Sequence, residues 1–302
     1  IGRIIGGITA ATHSTANAYI ADISKPEDKA ANFGLIGAAF GIGFVLGPLM
    51  GGVLAEFGTR APFYAAAALA GLNAVFGWFV LKETVTNAIR RPFDLSRANP
   101  FGAFKVLSKM PAIAPLLGVF FFYQIAFTVY PSIWSYFGKE RFDWDPSTIG
   151  LSLGLFGIMI AIVQGLLIRP ALKYLGERGT VIYGLLFDVL AFGLLAIVTS
   201  GTIALILIPI AALAGVVTPA LQGLMSRSVG DDQQGELQGA LTSISALAMI
   251  IAPMAMTTTF AAFTGDKAPI YFPGAPFVLS MTLVIVAIAV FMRHHSAISS
   301  EN

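Results

Sequence analysis

The sequence predicts an all-α polytopic membrane protein, and three observations carry that prediction. Of the 302 residues, 56% are hydrophobic and 11% are charged, against roughly 25% charged in soluble domains. The mean hydropathy of +0.80 is too high for a water-soluble globule of this size. Uncharged apolar runs of about 20 residues recur along the whole chain, the length that crosses a bilayer core of about 30 Å. Barrel strands need only about ten residues and alternate in polarity, so runs of this length are read as helices.

Taken in order, seven runs carry no charge: Phe33–Ala55, Ala61–Leu81, Ala112–Phe137, Ser147–Ile168, Thr202–Gln222, Leu237–Phe263 and Ala275–Met292. Two more hold one charge each, Ile1–Ala21 with Arg3 and Gly179–Thr199 with Asp188. Nine spans are therefore expected. The first residue is Ile, and the opening span starts without a flanking charge or a signal peptide. The chain is accordingly expected to be an internal fragment, or to lack its true start.

Lys and Arg in the connections give the orientation. One set holds Lys25, Lys29, Lys82, Arg90, Arg91, Arg97, Lys105, Lys109, Arg169, Lys173, Arg178, Arg227 and Arg293, thirteen residues. The opposite set holds four, Arg60, Lys139, Arg141 and Lys267. The first set, and with it the C-terminus, is expected in the cytoplasm. Lys82–Met110, basic and containing Pro92 and Pro100, is too polar to cross. It divides the chain into a partial N-terminal bundle over 1–81, a cytoplasmic linker over 82–110, and a six-helix C-terminal bundle over 111–302. Shifting the chain by 205 residues sets Pro48 on Pro253, Gly34 on Gly239, Gly43 on Ala248 and Gly47 on Ala252. This weak repeat fits two equivalent halves, with three helices expected before residue 1.

Composition also excludes chemistry. The chain has no Cys, which removes disulfides, iron–sulfur clusters, thiolate metal sites and cysteine nucleophiles. A net charge of +2 gives no sign of a nucleic-acid partner. The sequence has no phosphate-binding Gly-rich loop with Lys-Ser/Thr, no His-Glu-x-x-His and no Gly-x-Gly-Asp. No enzyme, catalytic residue, metal site or cofactor is expected.

The second span reads Gly34-Leu-Ile-Gly-Ala-Ala-Phe-Gly-Ile-Gly43-Phe-Val-Leu-Gly47-Pro48-Leu-Met-Gly51-Gly52. Gly43, Gly47 and Gly51 recur every four residues and drift by about 40° per step, forming one groove for close helix approach. Pro48 removes a backbone hydrogen bond and kinks the helix. Gly34, Gly43, Gly47, Pro48, Gly51 and Gly52 are therefore expected to form a hinge and packing surface on which two helices slide.

This Gly-x8-Gly-x3-Gly-Pro-x2-Gly-Gly run resembles the antiporter motif of the major facilitator superfamily, and Gly2-Arg3-Ile-Ile-Gly-Gly7 resembles its fourth-helix motif. Ala18-Tyr19-Ile20-Ala21-Asp22-Ile23, Ala61-Pro62-Phe63, Arg141-Phe142-x-Trp144, Leu175-Gly176-Glu177-Arg178 and Pro219-Ala220-Leu221-Gln222 resemble the bacterial tetracycline efflux pumps. The resemblance runs from residue 1 to about residue 265. It implies a major facilitator fold with nine transmembrane helices present of an expected twelve, helices four to twelve. It also implies a drug:proton antiporter of the bacterial inner membrane.

Arg3 lies inside an apolar helix, where an unpaired charge costs about 2.5–3.5 kcal/mol on insertion scales. At 100° per residue Arg3, Gly7, Ala10, Ser14 and Asn17 fall within about 40° of one line, a stripe that suits a cavity wall. A long side chain near a helix end can also snorkel. Asp188 stands nine residues into a 21-residue span, where a carboxyl needs a partner, water or a proton. It is either a proton carrier or a neutral structural group. The resemblance implies proton coupling at Arg3 and Asp188. Asn17, Asn73, Gln124 and Gln164 are candidate substrate-binding groups that could equally stitch helices together. Several tetracycline pumps carry a His in the eighth helix where this chain has Ile160, so coupling here must rest on other residues or the cargo must differ.

The reading that follows is export of tetracycline, as a metal chelate, in exchange for protons by alternating access. Mg²⁺ enters only as part of the substrate. The partners are the lipid bilayer, a small-molecule drug and protons, and the protein is expected to be a monomer. Two alternatives remain open at this point: proton-coupled efflux of another amphiphilic drug or metabolite, or an inert truncated fragment.

Overall fold

The structure is a computed structural model that describes residues 12–55, 57–58, 60–85, 113–230, 233–266 and 268–300. The described residues form helices and connections, without strands. In chain order the helices are α1 (Thr12–Ile23), α2 (Lys29–Ala55), α3 (Ala61–Val80), α4 (Ala114–Phe127), α5 (Val129–Phe142), α6 (Pro146–Ile162), α7 (Ile168–Ile197), α8 (Gly201–Leu213), α9 (Val217–Arg227), α10 (Gln234–Thr264) and α11 (Ala275–Ser300). Six stretches among the described residues are long and apolar enough to cross a membrane: Ala61–Val80, Ala114–Phe142, Thr148–Ile197, Gly201–Arg227, Gln234–Thr264 and Ala275–Arg293. The 50-residue stretch runs through α6 and α7 and is broken within α7, where Gly176 adopts φ 67°, ψ 175°. A side chain is strained at such a φ, and glycine is free to adopt it.

The expected spans Phe33–Ala55 and Ala61–Leu81 lie in α2 and α3, and the six from Ala112 onward lie between α4 and α11. Most of Ile1–Ala21, Arg3 included, and most of the 82–110 connection lie outside the described residues. Prolines explain where the helices depart from regularity. Pro131 cannot donate to Phe127, and the break between α4 and α5 falls there. Pro219 likewise leaves Gly215 without its helical donor, and the chain tightens into a 3₁₀ turn over Ala214–Val216. Pro170 follows a π-helical segment at Val163–Leu167. At its start α6 is capped by Asp145, whose carboxylate accepts the Thr148 N–H at 2.8 Å, with Pro146 as the first helical residue.

The core lies among α4 to α11, with α11 packed on α4 and α7, α10 on α4 and α5, and α8 on α6 and α7. Its largest fully buried side chains include Tyr123, Phe120, Phe137, Phe192 and Phe277. At one end Trp144 packs on Gly138 and Gly201, and Arg141 donates to the Val198 carbonyl at 3.0 Å. The Arg-Phe-x-Trp motif thus closes the ends of two helices. By contrast α3 buries no residue, and Phe63, Tyr64, Leu72, Phe76, Trp78 and Phe79 are exposed.

The upstream helices meet the core along two seams, α1 on α10 and α2 on α6 and α9. The close approach on α2 runs through Gly34, Gly37, Ala38 and Gly41, a 3–4 spacing that keeps one helical face. A Cβ on Gly34 would stand 2.8 Å from the Gln164 carbonyl oxygen, and one on Gly41 would stand 2.8 Å from that of Gly157. Gly43 and Gly47 point about 200° away from Gly41 or further round the helix, and a Cβ there meets nothing within 4 Å. Pro48, Gly51 and Gly52 continue the backbone of α2 beyond this seam. Of the repeat partners, Ala248 and Ala252 are fully buried in α10.

Gly41→Ala is expected to lower the melting temperature in detergent, because its Cβ meets backbone; overpacking of this kind costs about 1–3 kcal/mol. Gly118→Ala, with nothing within 4 Å of the added carbon, is expected to leave the melting temperature unchanged or raise it, Ala being the better helix former by about 1 kcal/mol.

Candidate functional site

Asp188 is fully buried on α7, one turn after Gly184 and one turn before Phe192. Gly184 lies against Val216 and Val217, where a Cβ would collide with the Val217 side chain. The Phe192 ring lies 5.5 Å from that of Tyr130. These two contacts set the carboxyl between the start of α9 and the α4–α5 break. Tyr123 and Tyr130 stand on either side of that break, each against Phe127, with ring centroids 5.8 and 5.5 Å apart. Both tyrosines are within electrostatic range of Asp188. The Tyr123 hydroxyl meets the side chain of Thr218, while the Tyr130 hydroxyl and both carboxyl oxygens of Asp188 are buried without a hydrogen-bond partner among the described residues. A buried polar group without a partner is unfavourable, and more so for a charge.

Gln164 marks a second place. Its amide nitrogen donates to the Gly215 carbonyl at 2.8 Å, the acceptor that Pro219 leaves free. Its amide oxygen occupies the space where Gly37 has no side chain, so a Cβ on Gly37 would fall on it. Gln164 therefore spans the seam between α2 and the core. Ile160, one turn earlier, packs with Val163, Ile168, Ala212 and Val216, and its Cδ1 lies against Gly215.

A third place is a crevice of about 660 Å³ lined by Glu27, Asp28, Asn32, Arg169, Lys173, Glu177 and Arg227. Gly176 turns the chain there, and Glu177 beside it forms an ion pair with Arg227. Burial pushes the Glu177 carboxyl above its ordinary range, and Arg227 draws it back in part.

The remaining expected site residues are spread apart. Gln124 donates to the Ser245 hydroxyl at 3.1 Å, joining α4 to α10. Asn17 is half-buried on α1, and Asn73 is exposed on α3. Arg3 lies outside the described residues. The structure thus places Asp188, Gln124 and Gln164 in or beside the core and does not bring them together with Asn73. Sequence reasoning assigned no site role to Tyr123, Tyr130, Thr218, Gly37 or Gly41. The aromatic run Phe120–Tyr123 reads as lipid-facing or core, and only the packing shows that Phe120 and Tyr123 are its fully buried members.

Gln164→Leu is expected to strand the Gly215 carbonyl and destabilise the fold by about 1–3 kcal/mol, measured by melting in detergent. Arg227→Gln is expected to lower stability and move the Glu177 carboxyl titration to higher pH, read by infrared spectroscopy. Adding Glu177→Gln is expected to restore part of the loss, because it removes the stranded charge.

The profile of the Major Facilitator Superfamily matches residues 1–253. The chain is 43% identical over 261 residues to the class C tetracycline resistance protein of Escherichia coli, covering 86% of this chain and 66% of that one. It is 36% identical over 267 residues to the class G tetracycline resistance protein of Vibrio anguillarum, covering 88% and 67%. Among solved structures it is similar to the human organic anion transporter MFSD10 (TETRAN), with a TM-score of 0.82 at 25% identity, covering 96% of this chain and 70% of that one. The chain spans about two thirds of the length of the curated relatives it matches. An apolar helical fold, matched by that profile over most of its length and by these relatives, places the chain: it belongs to the Major Facilitator Superfamily, and within it to the family of the bacterial tetracycline resistance proteins.

Proposed function

We propose that this chain is part of a secondary transporter that exports tetracycline, as a metal chelate, in exchange for protons by alternating access. The observation that carries the proton-coupling part is Asp188, a fully enclosed carboxyl within an apolar helix, with no hydrogen-bond partner among the described residues. Such a group keeps its proton in the closed arrangement and releases it when rocking of the two halves admits water. Arg3 is its proposed counterpart in the upstream half. The cargo rests on the relatives named for tetracycline resistance. Asn17, Asn73, Gln124 and Gln164 are proposed contacts for a polar, polyfunctional drug, and Mg²⁺ arrives only within the chelate, so the protein needs no cofactor of its own.

In this reading the nine expected spans are helices four to twelve of a twelve-helix protein. Residues 1–81 belong to the N-terminal bundle, 82–110 to a cytoplasmic linker and 111–302 to the C-terminal bundle. The protein is a monomer of the bacterial inner membrane with a cytoplasmic C-terminus. The glycine seam of α2 is the surface on which the halves slide, with Gly43, Gly47, Pro48, Gly51 and Gly52 lending the helix its kink and narrow face. A second reading, export of another amphiphilic compound, draws support from Ile160, which cannot titrate, and from the likeness to an organic anion transporter.

The test is gradient-driven uptake of tetracycline with Mg²⁺ into inverted membrane vesicles carrying the protein expressed from its complete gene. The wild type is expected to accumulate drug when a pH gradient is imposed, and Asp188→Asn to lose at least tenfold of that uptake. Uptake unchanged in the variant overturns the role of Asp188. No uptake by well-expressed wild-type protein moves the cargo to the second reading.

A further inference from the structure

We propose that Tyr130, with Tyr123 in support, is the positioning residue for Asp188: its hydroxyl turns to donate to the carboxylate once the acid has released its proton. This rests on the reading that Asp188 carries the coupled proton.

The enclosure around Asp188 contains a donor without an acceptor, the Tyr130 hydroxyl, and two acceptors without a donor, the carboxyl oxygens. Packing brings them to one place. Phe192, one turn beyond Asp188, touches the Tyr130 ring, and that ring also meets Phe156 at 5.1 Å and Phe277 at 6.3 Å. Two orphaned groups of opposite sense in one apolar enclosure fit a pair that is joined in another state of the protein. While the carboxyl holds its proton, it has little need of a second donor. An ionised carboxylate needs donors, and a tyrosine hydroxyl supplies one without adding charge.

The surroundings leave few other candidates among the described residues. Val217 of α9 lies against Gly184, one turn before the acid, Phe277 of α11 lies against Phe192, one turn after it, and Thr218 of α9 meets Tyr123. No cation or second carboxylate bonds to Asp188 there. Tyr123 already meets Thr218, so it is the secondary donor. Reorientation of the hydroxyl breaks no covalent bond. The proton that leaves Asp188 goes to water, and the tyrosine keeps its own.

The test is infrared titration of the protonated carboxyl band in the purified protein expressed from its complete gene, the Asp188 band being the one lost in Asp188→Asn. Tyr130→Phe keeps the ring and removes the donor. It is expected to move the Asp188 titration upward by about one pH unit, a tenfold change in proton affinity, and to move the alkaline limb of the drug-uptake profile the same way. Tyr123→Phe is expected to move it less, and Tyr136→Phe, whose ring is exposed, not at all. An Asp188 band that titrates unchanged in correctly folded Tyr130→Phe overturns the proposal. Uptake that persists in Asp188→Asn overturns instead the reading on which it rests, so the two failures are distinct.

Discussion

One hydrogen bond organises the seam of this molecule. Pro219 has no N–H to give, so the Gly215 carbonyl one turn earlier lacks its helical donor. Gln164, from a neighbouring helix, supplies that donor at 2.8 Å. To do so its side chain must occupy space next to α2, and it can only because residue 37 there is glycine. A proline in one helix, a glutamine in a second and a glycine in a third are thereby tied to one geometry. The π segment around Gln164 and the 3₁₀ turn around Gly215 are the local adjustments that let the bond form.

The glycines flanking that bond extend its effect. Gly34 and Gly41 bring backbone against backbone on either side of the Gln164 side chain, which fills the notch at Gly37. The buried carboxyl sits on a different element, in the firmly packed aromatic core. The molecule thus separates a close glycine-lined contact between α2 and α6 from a buried carboxyl on α7 beside the aromatic core.

Much of this was legible beforehand. Runs of uncharged residues gave the helices from Ala61 onward nearly to their ends, because a bilayer leaves the backbone no alternative to internal hydrogen bonding. Asp188 stood out because a carboxyl in such a run is improbable without a function or a partner. The glycine run of α2 also announced close packing. Its face was harder to read: two sets of glycines, 34–37–41 and 43–47–51, each fit a helical stripe, and periodicity alone does not say which stripe meets a neighbour.

Sequence by itself therefore determined the class of the protein, its long apolar helices, its glycine-rich helix and its buried acid, since each follows from local composition and the demands of the hydrocarbon core. Tertiary structure decided which glycines touch, that Gln164 is bonded to Gly215, and that Tyr130 shares an enclosure with Asp188. Those facts depend on how helices far apart in the chain, such as α2 with α6 and α5 with α7, come together. Distances across such contacts are fixed by packing, which no local pattern of residues contains.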